Sequence, residues 1–251
     1  MSEGRGAVGM KDDGEAAMPF DMRLNETALL EDVDDDALAA YARALGEEPG
    51  VELLARKGLF VHGRLTNAGV LLLARAPGSH IVRPEITVQC RTGNGVRCAI
   101  GLDERDCAFD KPLVTALPAV EGHVRRLLPR AYDGGAASYP IDAIMEGVVN
   151  SVAHRDYDSR GDCTSVVMLC DHIEITSAGD LPGWVTLQNM RRSHYSRNPV
   201  LTRRLCELGW MHDLGVGVGG IYEAMGESKV SYSVSSEYGS SHLRLVLMSR
   251  K

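Results

Sequence analysis

The stretch Ile141 to His154, IDAIMEGVVNSVAH, constrains the fold of this chain more than any other. Placed on a wheel at about 100° per residue, Ile141, Met145, Val148 and Val152 fall in one narrow arc, with Val149 at its edge. Glu146, Asn150 and His154 fall on the opposite side at successive i, i+4 steps. One face must pack on something apolar, and the other presents a carboxylate, an amide and an imidazole in line. Periodicity alone describes an ordinary amphipathic helix with a solvated polar face. A sharper reading depends on what surrounds it.

Two alternating segments follow this helix, TSVVMLCD and HIEITS, joined by a tight turn around Asp171. A long segment comes next, AGDLPGWVTLQNMRRSHYSRNP, then a helix VLTRRLCELGWM, a glycine cluster LGVGVGG and a short helix IYEAM. Two further strands, KVSYSV and HLRLVLM, close the order. This succession predicts an α+β fold, one mixed sheet with helices on one face. Upstream, DDDALAAYARALG reads as a helix with acids at its start and Gly46 at its end, and VELLARKGLF as a second helical stretch. LTNAGVLLLA reads as a third, with Thr66 as N-cap. EITVQCR alternates and predicts a strand, and the stretch from Gly93 to Asp110 reads as loop. Pro112 opens a helix whose Leu113, Leu117, Val120, Val124 and Leu127 recur at helical spacing. Pro129 and YDGGAAS predict a break. The expected division is therefore a disordered tail at 1–18, a smaller α+β domain at 19–130 and a second domain at 131–251.

Composition narrows the function. Hydrophobic residues make up 44% and charged residues 24%, with a net charge of −7, so bulk affinity for nucleic acid is not indicated. No apolar run approaches the roughly 18 residues that cross a bilayer, and no signal pattern opens the chain, so a cytoplasmic protein is expected. The six cysteines form no C-x-x-C pair, which removes zinc-site spacing.

Gly215, Gly217, Gly219 and Gly220 lie just before IYEAM. Small residues opening a helix expose backbone N–H groups that can cradle phosphate oxygens. The string satisfies G-x-G-x-x-G, but a helix precedes it and the chain ends soon after, so a dinucleotide fold is rejected. There is no P-loop. His154-Arg155-Asp156 echoes a kinase catalytic loop, but position 161, where that loop needs asparagine, is glycine.

EGVVNSVAHRDYDSRG, HIEITSAGDLPGWVTLQNM and SRNPVLTRRLCELGWMHDLGVGVGGIYEAM, in this order, resemble the C-terminal ATP-binding domain of the RecG-like, Schlafen/AlbA-linked transcriptional regulators. That domain is of the GHKL type, with gyrase and histidine kinases. The region from about Phe20 to Arg130 resembles what precedes it in that family. The chain is expected to begin where the family's AlbA-like domain ends, and to lack a C-terminal winged helix. The resemblance implies a Bergerat-type α/β sandwich that binds ATP with Mg²⁺. Glu146 corresponds to the glutamate that polarises the attacking water in a slow ATPase, and Asn150 to the amide that holds the metal. His154 and Arg155 are expected near the phosphates, with Gly215, Gly217 and Gly219 closing over them. Arg197 and Asn198 match the R-N-P element of a nucleotide lid. The turn Ser177-Ala178-Gly179-Asp180 stands where the family has N-P-G-G. Asp180 carries the acid chemistry that reads the adenine amino group, displaced by several residues. The implied role is regulatory, with nucleotide state controlling a homodimer or a protein partner. The alternative is a non-catalytic scaffold or transcription-related regulator on the same fold.

Overall fold

A computed structural model of the protein describes residues 18–91, 106–131, 139–159, 162–169, 171–181, 184–193, 195–211, 216–237 and 240–248. The expected tail lies outside these, apart from Met18. The first half builds a small helical layer. Asp34 caps helix α1 (Asp35–Leu45) by accepting the Ala37 N–H at 2.8 Å, and Gly46 ends it in the left-handed region at φ 67°. Helix α2 (Val51–Arg56) is shorter than its apolar pattern. Gly58, at φ 71°, turns the chain so that Phe60 enters a two-residue hairpin, β1 (Phe60–Val61) with β2 (Arg64–Leu65). Thr66 caps α3 (Asn67–Leu73), accepting the Gly69 N–H, and every residue of α3 is buried. Helix α4 (Leu113–Ala131) buries the predicted stripe Leu113, Leu117, Val120, Val124 and Leu127.

A six-stranded sheet carries the rest. Its strands are β3 (Ile86–Cys90), β4 (Asp106–Phe109), β5 (Thr164–Met168), β6 (His172–Ala178), β7 (Val230–Glu237) and β8 (Ser240–Met248). Their order is β4-β3-β5-β6-β8-β7, with β3 parallel to β5 and every other pair antiparallel. Register places Val88, Val166, Ile175 and Leu245 side by side across four strands, and all are buried. The alternate positions Thr87, Ser165, Thr176 and Arg244 form the other, polar face, as the period-2 alternation of each strand requires. This is the expected α+β architecture, a mixed sheet in an α/β sandwich. Strand β4 departs from the expected loop at 93–110. Its pattern DCAF shows only as an edge partner of β3, and positions 92–105 lie outside the described residues.

Helix α5 (Ile141–Ala153) lies on the apolar face of the sheet, at β5 and β6. A Cβ at Gly147 would come within 2.8 Å of Ile175 Cδ1 and 2.7 Å of Leu245 Cδ2, so glycine lets the helix sit this low. Helix α6 (Pro199–Glu207) and helix α7 (Val216–Met225) flank it. The expected division near residue 131 falls between α4 and α5. Strands from both sides of it share the sheet, and one apolar core holds residues from both.

The N-terminal segment is also tied into the second half. Asp21 is wholly buried, and its carboxylate accepts the Leu201 N–H of α6 at 2.8 Å, 180 positions away. Burial raises its pKa, against the pull of backbone N–H groups at the start of α6. Arg23 pairs bidentately with Asp158, and Phe20 stacks on Tyr157 with ring centroids 5.3 Å apart.

At α3 the packing brings backbone against backbone. A Cβ at Gly69 would stand 2.2 Å from the Leu59 carbonyl oxygen, which is backbone and cannot swing aside. Gly69→Ala is therefore expected to destabilise the fold by about 1–3 kcal/mol despite alanine's higher helix propensity. A lowered urea midpoint with unchanged slope is the check.

Candidate functional site

Because α5 turns its apolar residues to the sheet and the neighbouring helices, Glu146, Asn150 and His154 line a chamber beside it of about 350 Å³. The volume is that of a small-molecule site. The floor is the apolar face of β6 and β8 at Ile175, Leu243 and Leu245. One wall is α6, through Thr202 and Cys206, and another is the first turn of α7, through Gly217 and Val218. The segment 184–193 forms the outer wall with Val185 and Met190. It is a compact turn in which the Thr186 N–H donates to Asn189 Oδ1 at 2.7 Å and the Asn189 amide to the Trp184 carbonyl at 3.0 Å. Arg191 fastens it, pairing bidentately with Glu227 and lying 3.4 Å over the Tyr222 ring. Tyr222 in turn leans on Tyr232, whose phenol lines the chamber and whose pKa burial pushes up.

The glycine cluster differs from the expected loop. Gly217, Gly219 and Gly220 lie inside α7, which begins at Val216, while Gly215 and Asp213 lie outside the described residues. The need for glycine is steric. A Cβ at Gly217 would stand 1.9 Å from Glu146 Oε1 and 3.3 Å from Asn150 Nδ2. The N-terminal end of α7 therefore abuts the Glu146 carboxylate, a favourable meeting of charge and helix dipole. Gly219 is not part of the chamber wall and has open space at its Cβ position.

The polar line on α5 is internally bonded. Asn150 Nδ2 donates to Glu146 Oε1 at 3.1 Å, so the amide oxygen is the Asn150 atom positioned to coordinate a cation or to accept from a ligand N–H. His154 is the C-cap residue of α5. Burial, and then the charge of Arg197, lowers its pKa from 6.5 to about 4, so its ring is neutral at pH 7.

The remaining predicted residues divide. Ser177 and Gly179 line the chamber, and the Ser177 hydroxyl donates to the Ser151 carbonyl at 2.7 Å, tying β6 to α5. Gly179 has φ 110° and would drive a Cβ to 2.8 Å from Asp156 Cβ. Asp180 reaches the chamber rim but is exposed, and its Oδ1 accepts its neighbour's N–H, from Leu181, at 2.6 Å. Arg155, expected near the phosphates, and Arg197 and Asn198, expected in the lid, all bond to other parts of the protein. Arg155 is buried, donates to the carbonyls of Arg83 and Asp162, and lies over the Tyr157 ring. Asn198 is wholly buried and donates to the carbonyls of Ala153 and Arg155, satisfying the end of α5. Arg197 spans Asp156 and the Asp180 carbonyl. The apolar floor and the Arg191–Tyr222 fastening are absent from the sequence reading. Leu243 and Leu245 were legible as strand residues, but the pairing of β6 with β8 that makes them a floor was not.

A mixed sheet carries helices on its apolar face, with a ligand-sized chamber between helix and sheet. Residues 161–247 match the family model described as "Putative ATP-dependent DNA helicase recG C-terminal", a HATPase-type domain. The match runs from the approach to β5 into β8 and leaves α5 outside it. The fold is also similar to the crystal structure of the DIP2311 protein from Corynebacterium diphtheriae, with TM-score 0.72 and 21% identity. That similarity covers 95% of this chain and 41% of the other, so the chain spans under half of that protein's length. No curated protein matches the sequence.

Two variants test the site's construction. Gly217→Ala must displace the Glu146 carboxylate or the start of α7, so it should abolish ligand-induced stabilisation while circular dichroism keeps the helix content. For His154, a depressed native pKa means that the unfolded chain binds the proton first. Stability is present above pH 6.5 and is lost as pH falls towards 4, by up to about 3 kcal/mol. His154→Gln should flatten that fall in urea titrations between pH 7 and pH 4.

Proposed function

We propose that this chain binds ATP, as its Mg²⁺ complex, in the chamber beside α5 and acts as a regulatory nucleotide-binding protein. One observation carries the reading: Glu146, Asn150 and His154 line a single chamber on one helix face, with Gly217 packed so close that a Cβ there would overlap the Glu146 carboxylate. The HATPase-type match over 161–247 supports nucleotide as the ligand class.

The donor set suits magnesium. Mg²⁺ keeps several waters and takes one or two protein oxygens plus substrate phosphates. The Asn150 amide oxygen, with the Glu146 carboxylate beside it, offers that much. The metal would neutralise phosphate charge. Glu146 would accept a proton from an attacking water, giving at most a slow ATPase. Asp180 is exposed and bonded into its own turn, which favours binding over strict adenine selection. That observation supports the second reading, a non-catalytic regulator whose lid segment answers to a homodimer or protein partner. Among the described residues no helix is long and apolar enough to cross a membrane.

Mg-ATP at about 100 times its Kd should stabilise the native state by about 2.7 kcal/mol, a rise of several degrees in Tm. Asn150→Ala should lose most of that shift. No shift in the wild type at millimolar Mg-ATP would sink the nucleotide reading. Phosphate release by wild type but not by Glu146→Gln would separate the ATPase from the non-catalytic regulator.

A further inference from the structure

The chamber walls carry formal charge of one sign. Among the described residues lining it, the ionisable side chains are the carboxylates of Glu146 and Asp180, the imidazole of His154, two phenols and a thiol, with no lysine or arginine. The His154 ring is neutral at pH 7. Most of the remaining surface is aliphatic, from Ile175, Leu243 and Leu245 on the floor to Val185 and Met190 on the outer wall.

Four arginines near the chamber are bound elsewhere, while Arg192, next to the wall residue Ser193, is exposed to solvent. Arg155 serves two backbone carbonyls, Arg191 is held by Glu227, and Arg204 lies 3.2 Å from Glu207. Arg197, the cation that His154 senses, has its fork on Asp156 and the Asp180 carbonyl. The positive end of the α7 dipole already faces Glu146. A polyphosphate entering alone would set several negative charges near the half-buried Glu146 carboxylate and the Asp180 carboxylate at the rim, where like charges repel.

Building on the nucleotide reading, we infer that the chamber selects its ligand by low charge. It takes a nucleoside, or a nucleoside polyphosphate whose charge a divalent cation has neutralised, and rejects the metal-free polyphosphate. Affinity then resides in the base and sugar against the apolar floor. The phosphates contribute only through the metal that accompanies them.

Calorimetric titration of the full chain with adenosine, AMP, ADP and ATP decides this, run in EDTA and in excess Mg²⁺ at low and high NaCl. In EDTA, affinity should fall along the series, by about tenfold or more from adenosine to ATP, and Mg²⁺ should recover ATP. Added NaCl should strengthen metal-free ATP binding, because it screens a repulsion. Glu146→Gln should narrow the gap between adenosine and ATP in EDTA several-fold. Metal-free ATP that binds as tightly as adenosine, and weakens with salt, would mean that a cationic cradle meets the phosphates. That result overturns the charge selection and leaves the nucleotide reading standing. Failure of both adenosine and Mg-ATP to bind overturns the nucleotide reading, and the charge selection with it.

Discussion

The low seat of α5 on the sheet fixes everything around the chamber. Gly147 brings the helix against Ile175 and Leu245, and its buried valines hold it there. Once that packing is set, Glu146 and Asn150 can only face sideways, towards α7. The start of α7 then needs Gly217, because any larger residue would occupy the carboxylate's space. Hydrophobic burial on one side of a helix thus decides which backbone can approach its polar side. A helix read as amphipathic in the ordinary sense has no freely solvated face. Its polar line is a half-buried seam between two helices.

Much of this was legible in the sequence, and the failures have physical causes. Caps at Asp34 and Thr66, the α4 stripe and five strands of the large sheet follow from local rules of period and turn chemistry. Helical period places Glu146, Asn150 and His154 on one face, but that this face lines a chamber emerges only from the packing around it. The glycine cluster was visible as a feature but misplaced, because glycine serves both a loop that needs positive φ and a helix that needs close approach. Only the tertiary contact with Glu146 distinguishes them. Arg155 and Asn198 look like ligand groups in sequence because their chemistry suits phosphates. In the fold Asn198 satisfies carbonyls left open where α5 ends, and Arg155 satisfies the carbonyls of Arg83 and Asp162. Strand β4 has too short a pattern to stand out, and the parallel pairing of β3 with β5 is a non-local fact.

Charge placement follows from the same economy of partners. Arg155, Arg191, Arg197 and Arg204 are engaged in holding loops and helix ends in place, and the described lining of the chamber is acidic and apolar. Rigidity of the outer wall depends on one of these pairs, the Arg191–Glu227 fork stacked on Tyr222. The groups that make the chamber firm are therefore unavailable to its contents.

Asp21 gives the architecture a further meaning. The carboxylate that finishes the start of α6 comes from the opening segment of the chain, and β3 beside β5 also comes from upstream. The segment that carries the family likeness, 161–247, thus lacks a neighbouring strand, the helix that seats the polar line and the cap of one of its own helices. A segment of that extent taken alone would leave behind the strand beside β5, the helix of the polar line and the carboxylate that meets the start of α6.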